Sequence, residues 1–332
     1  MLIEGKKILI TGGTGSLGQA LTRRLLGLGA ETIRIYSRNE IKQVEMSDNI
    51  NDSRLRFFIG DVRDLPRLII ALEDVDIIFH TAALKNVPKI EYNPFEAVKT
   101  NIIGAQNVID ACMSSNVELA VAIGSDKSVS PLNTYGATKL LQEKLFVTAH
   151  NYLNPKKHRT KFIALRYGNV FGSSGSIIPR FIEQIKQQNK ILVTNPTMTR
   201  FTITMDQALD FILQSIKLAK GSEIFVPKLR AYLLEDLKEA LKELLHVNEE
   251  EIIGIREGEK MHEILINEDE MKYAWELEDK YIIFNGTPDE SKLKNYSNIK
   301  SIQNLQKYSS DMVEKIPRDE LKKLIQDLEF LK

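Results

Sequence analysis

Tyr135 and Lys139 stand one helical turn apart in the stretch Asn133-Thr134-Tyr135-Gly136-Ala137-Thr138-Lys139, and a second charged pair, Asp126-Lys127, lies a short way upstream. On a helix, positions i and i+4 share a face, so the Lys139 ammonium is expected beside the Tyr135 hydroxyl, where it favours phenolate and lowers a pKa that is ~10 when unperturbed. A tyrosine tuned this way takes a proton from an alcohol at neutral pH. Two acid/base pairs this close together point to redox chemistry coupled to a further proton transfer.

The elements that must hold these groups are legible upstream. Lys7-Ile8-Leu9-Ile10 reads as a buried strand leading into Thr11-Gly12-Gly13-Thr14-Gly15-Ser16-Leu17-Gly18, followed by a helical run from Gln19 to Leu28. Glycines 12, 15 and 18 allow a tight turn, close approach of backbone N–H groups to a pyrophosphate, and close packing of helix on sheet, and the helix N-terminus adds a favourable dipole. Thr11 to Gly18 are therefore the expected dinucleotide contacts. A second strand, Thr32 to Tyr36, ends at Ser37-Arg38-Asn39-Glu40. An NAD site usually places a carboxylate at this strand end, whereas a serine and an arginine stand here, so the expected cofactor is NADP, with Ser37, Arg38 and Lys42 on the 2′-phosphate.

A third strand, Arg56 to Ile59, ends in Gly60-Asp61-Val62, where the aspartate can accept from the adenine amino group. A fourth, Asp76 to His80, ends in Thr81-Ala82-Ala83, small residues over which a cofactor can pass. The alternation continues with a helix over Pro94 to Met113, a strand over Leu119 to Ile123, a helix over Thr134 to Asn151 and a strand over Lys161 to Leu165. Strands separated by helices predict an α/β fold, a doubly wound parallel Rossmann sheet with ligands at the strands' carboxyl ends. The expected division is an NADP-binding domain over residues 1–168, with core elements also from about 201–226. A smaller C-terminal substrate-binding α/β domain would cover 169–332 and end in a helical tail.

Composition fits a soluble enzyme. With 332 residues the chain can build one large domain and a smaller one. Lysine plus arginine equals aspartate plus glutamate at 45 each, so no global basic field recruits nucleic acid or anionic lipid. The single cysteine, Cys112, allows neither a disulfide framework nor a zinc cluster, and no metal is expected. The N-terminus enters the first strand without a signal peptide, and no apolar run approaches membrane-spanning length, so the expected compartment is the cytoplasm. The lysine- and glutamate-rich run from Asp319 to Lys332 reads as a solvated amphipathic helix.

Taken together, the Thr11–Gly18 loop and Tyr135-Gly136-Ala137-Thr138-Lys139 resemble the extended short-chain dehydrogenase/reductase family. Within it, six further segments closely resemble the inverting UDP-N-acetylglucosamine 4,6-dehydratases: Phe58 to Asp64, Ala82-Ala83-Leu84-Lys85, Ser125-Asp126-Lys127, Arg166 to Val170, Met198-Thr199-Arg200-Phe201 and Gly254 to Lys260. The similarity runs in order from about Met1 to about Ile283. Those enzymes open bacterial routes to pseudaminic acid and related 6-deoxy amino sugars. Retaining dehydratases carry Asp-Glu where this chain has Asp126-Lys127, and lysine there marks the inverting family.

The resemblance implies UDP-N-acetylglucosamine as substrate and a cycle without net redox change. Tyr135, activated by Lys139, takes the C4 hydroxyl proton as the C4 hydride passes to NADP⁺, and Ser125 hydrogen-bonds the C4 oxygen. The 4-ketone makes the C5 hydrogen acidic; Lys127, as a neutral amine whose pKa burial or a neighbouring cation brings down, removes it. A protonated Asp126 donates to the departing C6 hydroxyl, hydride returns to C6, and a proton returns to C5 from the opposite face. The product is UDP-2-acetamido-2,6-dideoxy-β-L-arabino-hex-4-ulose.

The sugar nucleotide is expected against Asn169 and Val170, with Gly172-Ser173-Ser174-Gly175-Ser176 wrapping a phosphate. By resemblance Arg200, beside Thr199, and Arg256 hold the diphosphate, Glu259 holds ribose hydroxyls, and Lys85 faces the substrate. The helices at Pro94 to Met113 and Thr134 to Asn151 carry apolar residues on more than one face, among them Val98, Ile102, Ile103, Leu140, Leu141 and Leu145, which implies a homo-oligomer. Two other readings share these motifs: a nucleotide-sugar 4-epimerase or simple NADP reductase, in which Lys127 is dispensable, and a non-catalytic dinucleotide-binding module, against which Ser125, Tyr135 and Lys139 speak.

Overall fold

The computed structural model describes residues 2–173, 175–247 and 249–328. The parallel part of the main sheet begins with β1 (Lys7–Thr11), β2 (Thr32–Ser37), β3 (Leu55–Ile59), β4 (Ile77–His80), β5 (Leu119–Ile123) and β6 (Lys161–Leu165). Their spatial order is β3-β2-β1-β4-β5-β6. The order reverses between β1 and β4, and the crevice at that reversal is where doubly wound sheets bind ligands.

Apolar runs such as Ile8-Leu9-Ile10, with no exposed surface, suit strands covered on both faces. On one face α1 (Ser16–Gly27) and the helix Met205–Leu218 bury Leu21, Leu25, Leu209 and Ile212 against Ile8 and Ile10. On the other, α2 (Leu65–Leu72) and the helices Gly104–Ser114 and Thr134–Thr148 bury Leu68, Val108 and Phe146 around Leu9. Each such side chain contributes about 1.5–3 kcal/mol on leaving water.

The sheet is larger than the alternating pattern predicts. Glu223–Pro227 joins it in parallel beside β6, and the antiparallel strands Lys280–Phe284, Ala274–Glu276 and Lys300–Ser301 extend that edge to make ten among the described residues. A separate apolar cluster forms where the helices Ile177–Gln188, Leu234–Leu245 and Arg318–Gln326 pack together.

Three sequence expectations change. The helix over Pro94 to Met113 is interrupted: Pro94–Ala97 is followed by a π-helical turn, Val98–Ile103, before Gly104–Ser114 begins. Within that turn the buried Asn101 accepts from Leu84 N–H at 2.8 Å and donates to Leu84 C=O and Thr138 Oγ1, both at 3.0 Å. A polar side chain tying the helix sideways to the loop after β4 explains a widened turn here. The helix beginning at Thr134 ends at Thr148 and tightens into a 3₁₀ turn over Ala149–Tyr152. Finally, the C-terminal helix is not simply solvated, because Leu321 and Ile325 are buried against Leu234–Leu245; residues 329–332 of that expected helix lie outside the described residues.

The helix that carries Tyr135 and Lys139 is anchored at its start and along its length. Its N-cap Asn133 accepts from Gly136 N–H at 2.8 Å and donates to Gly258 C=O at 2.9 Å. Further along, Glu143 forms a buried bidentate pair with Arg166, which also donates to Glu270 through both terminal nitrogens at 2.8 Å and to Leu265 C=O at 2.8 Å. This triad ties the helix to the end of β6 and to the C-terminal part of the chain.

Candidate active site

A cavity of about 730 Å³ runs over the carboxyl ends of the parallel strands. The loop after β1 supplies Gly12, Thr14, Gly15, Ser16 and Leu17 to its wall, while Thr11, Gly13 and Gly18 are buried beneath. Gly12 has φ +66°, and a Cβ there would stand 2.9 Å from Ala82 Cα, so the crevice between β1 and β4 is open only because this position lacks a side chain. Ser37, Arg38, Lys42, Asp61, Val62, Ala82 and Ala83 line the same end. Arg38 is 54% exposed and stands 3.7 Å from Asp61. Asp61 itself is held by Arg63 at 2.7 Å, and Gln43 donates to Ser37 Oγ at 3.0 Å.

At the other end stand Ser125, Lys127, Tyr135, Lys139, Lys85, Asn169, Val170 and Ser173. The turn Asp126–Ser128 packs directly under the first turn of Thr134–Thr148, and a Cβ on Gly136 would lie 2.3 Å from Lys127 C=O. Glycine at 136 is what lets Tyr135 and Lys127 approach one another.

Lys139 Nζ does not bond Tyr135 as the spacing predicts. Its Nζ donates to Ile123 C=O at 2.5 Å and to Gln142 Oε1 at 2.7 Å. Burial pulls the Lys139 ammonium down to about 7 against the opposing pull of Glu143. The Tyr135 hydroxyl is raised rather than lowered: burial is the largest influence, Lys127 pulls it down, Asp126 pushes it up, and hydrogen bonding with Ser125 pulls it down again. The cation that pulls it down is Lys127.

Asp126 is 1% exposed and lies behind Ser125, whose Oγ donates to Asp126 Oδ1 at 2.8 Å. Lys127 Nζ bridges Asp126 Oδ2 at 3.0 Å and Glu263 Oε1 at 2.9 Å. Burial raises the Asp126 carboxyl, Lys127 lowers it and Glu263 raises it further, leaving it above its ordinary value. For Lys127, burial pulls the ammonium down but Asp126 and Glu263 together outweigh burial and Arg200, so it is raised. This corrects the expectation of an amine made neutral by burial or a nearby cation: the neighbouring cation is present, but two carboxylates win.

The expected substrate residues divide into two groups. Asn169, Val170, Ser173 and Lys85 face the cavity, and burial lowers the Lys85 ammonium; Ser174 lies outside the described residues. Thr199 instead is buried, its hydroxyl bonded to His262 Nδ1 at 2.8 Å and Ser310 Oγ at 2.7 Å, so it supports the strand rather than reaching a ligand. Arg200 is committed within the protein, donating to Thr199 C=O at 2.8 Å and standing 3.6 Å from Glu263. Arg256 pairs with Glu259 at 3.5 Å, and Arg180, on the helix Ile177–Gln188, feels the Arg256 charge. Sequence reasoning missed Arg180 and Glu263. Glu263 stands three residues past the recognised Gly254–Lys260 segment, and no periodicity links it to Lys127.

A family model described as polysaccharide biosynthesis protein matches residues 8–285. The chain belongs to this family. It is 48% identical to the UDP-N-acetylglucosamine 4,6-dehydratase (inverting) of Campylobacter jejuni subsp. jejuni serotype O:23/36 over 85% of this chain and 84% of that protein. It is 38% identical to a protein of Rickettsia conorii named UDP-glucose 4-epimerase, over 98% of this chain and 97% of that one. Among solved structures, Pen from Bacillus thuringiensis superposes with a TM-score of 0.91 at 39% identity, covering 98% of this chain and 99% of that one. Members of the family thus bear both dehydratase and epimerase names, and the side chains around Tyr135 must decide between them.

Proposed function

We propose that the protein is a UDP-N-acetylglucosamine 4,6-dehydratase that inverts C5 and yields UDP-2-acetamido-2,6-dideoxy-β-L-arabino-hex-4-ulose, a precursor of pseudaminic-acid-type sugars. The observation that carries this reading is Lys127, half-buried in the cavity wall with Tyr135 and held at 3.0 Å by Asp126, which is buried behind Ser125. A 4-epimerase needs one proton acceptor at the C4 oxygen. A second acid and base, held together at 3.0 Å, has work to do only if C5 and C6 also react. The 48% identical inverting dehydratase supports the same choice.

The cavity fits a nicotinamide dinucleotide, since the Gly12 cradle would be filled by any Cβ and the Gly15-Ser16 end of the loop opens α1 toward a pyrophosphate. NADP is the form proposed, with the exposed Arg38 and Lys42 and the Ser37 hydroxyl around the 2′-phosphate. When bound, the nicotinamide supplies a reversible hydride acceptor for C4 and donor for C6.

The chain's own groups handle the protons. Tyr135 receives the C4 hydroxyl proton, with Ser125 beside it on the same oxygen; burial disfavours its phenolate, and the Lys127 charge and the Ser125 hydrogen bond oppose that burial. In the resting pair Lys127 is an ammonium. Transfer of one proton from Nζ to Asp126 Oδ2, along the 3.0 Å hydrogen bond, creates in one step the neutral amine that takes the C5 proton and the carboxylic acid that protonates the leaving C6 hydroxyl. The burial that raises Asp126 favours this exchange. Arg256 with Arg180 and Glu259 form the cationic and polar rim proposed for the uridine diphosphate.

We also propose a homo-oligomer, because Tyr92, Phe95, Ile103 and Leu141 leave an apolar strip exposed on adjoining helices; a monomeric mass by light scattering would remove that part. The activity is tested by incubating the protein with UDP-N-acetylglucosamine and NADP in deuterated water and following proton NMR. A 6-deoxy-4-keto product with deuterium at C5 and the L-arabino configuration is expected, and a sugar changed only at C4 would transfer the protein to the epimerases.

A further inference from the structure

We propose that Glu263 is the positioning residue that sets the proton state of the Asp126-Lys127 pair, an inference that rests on reading those two as acid and base of the elimination. Glu263 precedes the short strand Ile264–Ile266 and is locked on both sides of its backbone: its N–H donates to Ser310 Oγ at 2.9 Å, and its C=O accepts from Ser310 N–H at 2.8 Å. Its side chain is 2% exposed. Oε1 holds Lys127 Nζ at 2.9 Å and lies 3.6 Å from Arg200 Nε, while Oε2 is buried without a hydrogen-bond partner among the described residues. A carboxylate with an unpaired buried oxygen costs stability. Its retention at this point is explained if the charge serves the neighbouring lysine.

The charged and titratable groups around Lys127 are Asp126 on its own turn, Tyr135 on the helix above, Glu263 and Lys260 from the segment before Ile264–Ile266, and Arg200 and Tyr232 from the paired strands Thr199–Ile203 and Ala231–Leu233. Lys260 donates its ammonium to Val129 C=O. Glu263 is therefore the one carboxylate besides Asp126 in contact with Lys127 Nζ among the described residues.

The elimination needs a proton on Asp126 and none on Lys127. That state holds the same number of protons as the resting ion pair, so activity follows the singly protonated pair. It falls below the apparent pKa associated with Asp126 and above that associated with Lys127. From the exchanged state, the C5–H bond breaks as Nζ–H forms, and the C6–O bond breaks as the Asp126 proton leaves with the oxygen as water; the electron pair from C5–H becomes the C5=C6 bond. A negative charge at Glu263 favours protonation of both partners and so carries both limits of the profile to higher pH, and Arg200 opposes it.

The test compares wild type, Glu263→Gln and Glu263→Asp. For Glu263→Gln both limbs of the kcat/KM profile for dehydration should move to lower pH by about 1–3 units, the effect of a charge at contact distance; Glu263→Asp should restore them. A Glu263→Gln profile lowered uniformly but with unmoved limbs would reduce Glu263 to a structural residue and overturn the proposal. A readout independent of turnover is acetylation of Lys127 by acetic anhydride against pH, followed by peptide mass spectrometry. Its half-labelling pH should fall in Glu263→Gln and rise in Arg200→Gln. If the wild type forms no 4-keto product yet these shifts appear, the elimination reading fails and the charge-setting role stands; if product forms and labelling does not shift, the role fails. Should Glu263→Gln not fold, the Arg200→Gln shift and the Glu263→Asp profile decide, and an Arg200→Gln shift of zero or of opposite sign overturns the proposal.

Discussion

Replacing Arg166 by methionine should destabilise the protein by about 3–5 kcal/mol at neutral pH, the cost of breaking a buried ion pair by removing one partner. All five guanidinium hydrogens are used: two on Glu143, two on Glu270 and one on Leu265 C=O. The Glu143 and Arg166 side chains are 1% and 0% exposed, so the variant strands a carboxylate that water cannot reach, with the 14% exposed Glu270 close by. The pH dependence has a definite sign. In the wild type, burial raises the Glu270 carboxyl, but Arg166 outweighs it and holds the group below its ordinary value; that contribution is present above the unfolded pKa of ~4.3 and disappears as pH falls through the folded one. In the variant the Glu270 carboxyl keeps the upward push of burial without Arg166 to oppose it, so the deficit is largest near pH 7.5 and shrinks by about 1 kcal/mol by pH 5. Urea unfolding of both proteins at the two pH values measures this. The triple change Glu143→Leu, Arg166→Met, Glu270→Leu, which removes every charge at once, should stay within about 2 kcal/mol of wild type. A single variant that loses under 1 kcal/mol, or a deficit that does not change with pH, would refute the reasoning.

Asp126→Asn keeps the shape of the turn but removes both the acid and the acceptor of the Lys127 proton, so deuterium entry at C5 and loss of the C6 hydroxyl should slow together by about 10²–10⁴-fold, read by NMR of the sugar. Arg38→Ala should weaken NADPH binding by about 1–2 kcal/mol, roughly five- to thirtyfold, and leave NADH unchanged in fluorescence titrations; equal losses for both would withdraw the NADP assignment. Gly136→Ala places a Cβ where the Lys127 C=O stands 2.3 Å away. About 1–3 kcal/mol of stability and on the order of 100-fold in kcat should be lost together, and a variant with normal kcat would show that the spacing of Tyr135 and Lys127 is not critical.

Local pattern placed the strands well. Leu119–Ile123 and Lys161–Leu165 lie where their apolar runs stand, and β1 and β2 extend one residue past the expected ends, because buried parallel strands announce themselves as continuous apolar segments. The glycine loop, the strand-end residues and Ser125, Lys127, Tyr135 and Lys139 gather around one cavity, with Asp126 buried behind them. What the sequence did not disclose depends on contacts between distant segments. The π turn at Val98–Ile103 arises from Asn101 reaching Leu84. The antiparallel edge strands pair only once Glu223–Pro227 is in place. Tyr135 and Lys139 share a helix face as their spacing requires, yet Ile123 and Gln142 take the lysine, so helical spacing alone misjudged the partner. Lys127 could not be assigned a proton state without Glu263, which folding alone brings to 2.9 Å.

Lys127 as the base at C5 is tested most directly by Lys127→Met, incubated with NADP and UDP-N-acetylglucosamine in deuterated water. Absorbance at 340 nm should show reduced cofactor accumulating as C4 is oxidised, while NMR shows no deuterium at C5 and no 6-deoxy product. Deuterium entering C5 at the wild-type rate in that variant would contradict the assignment outright.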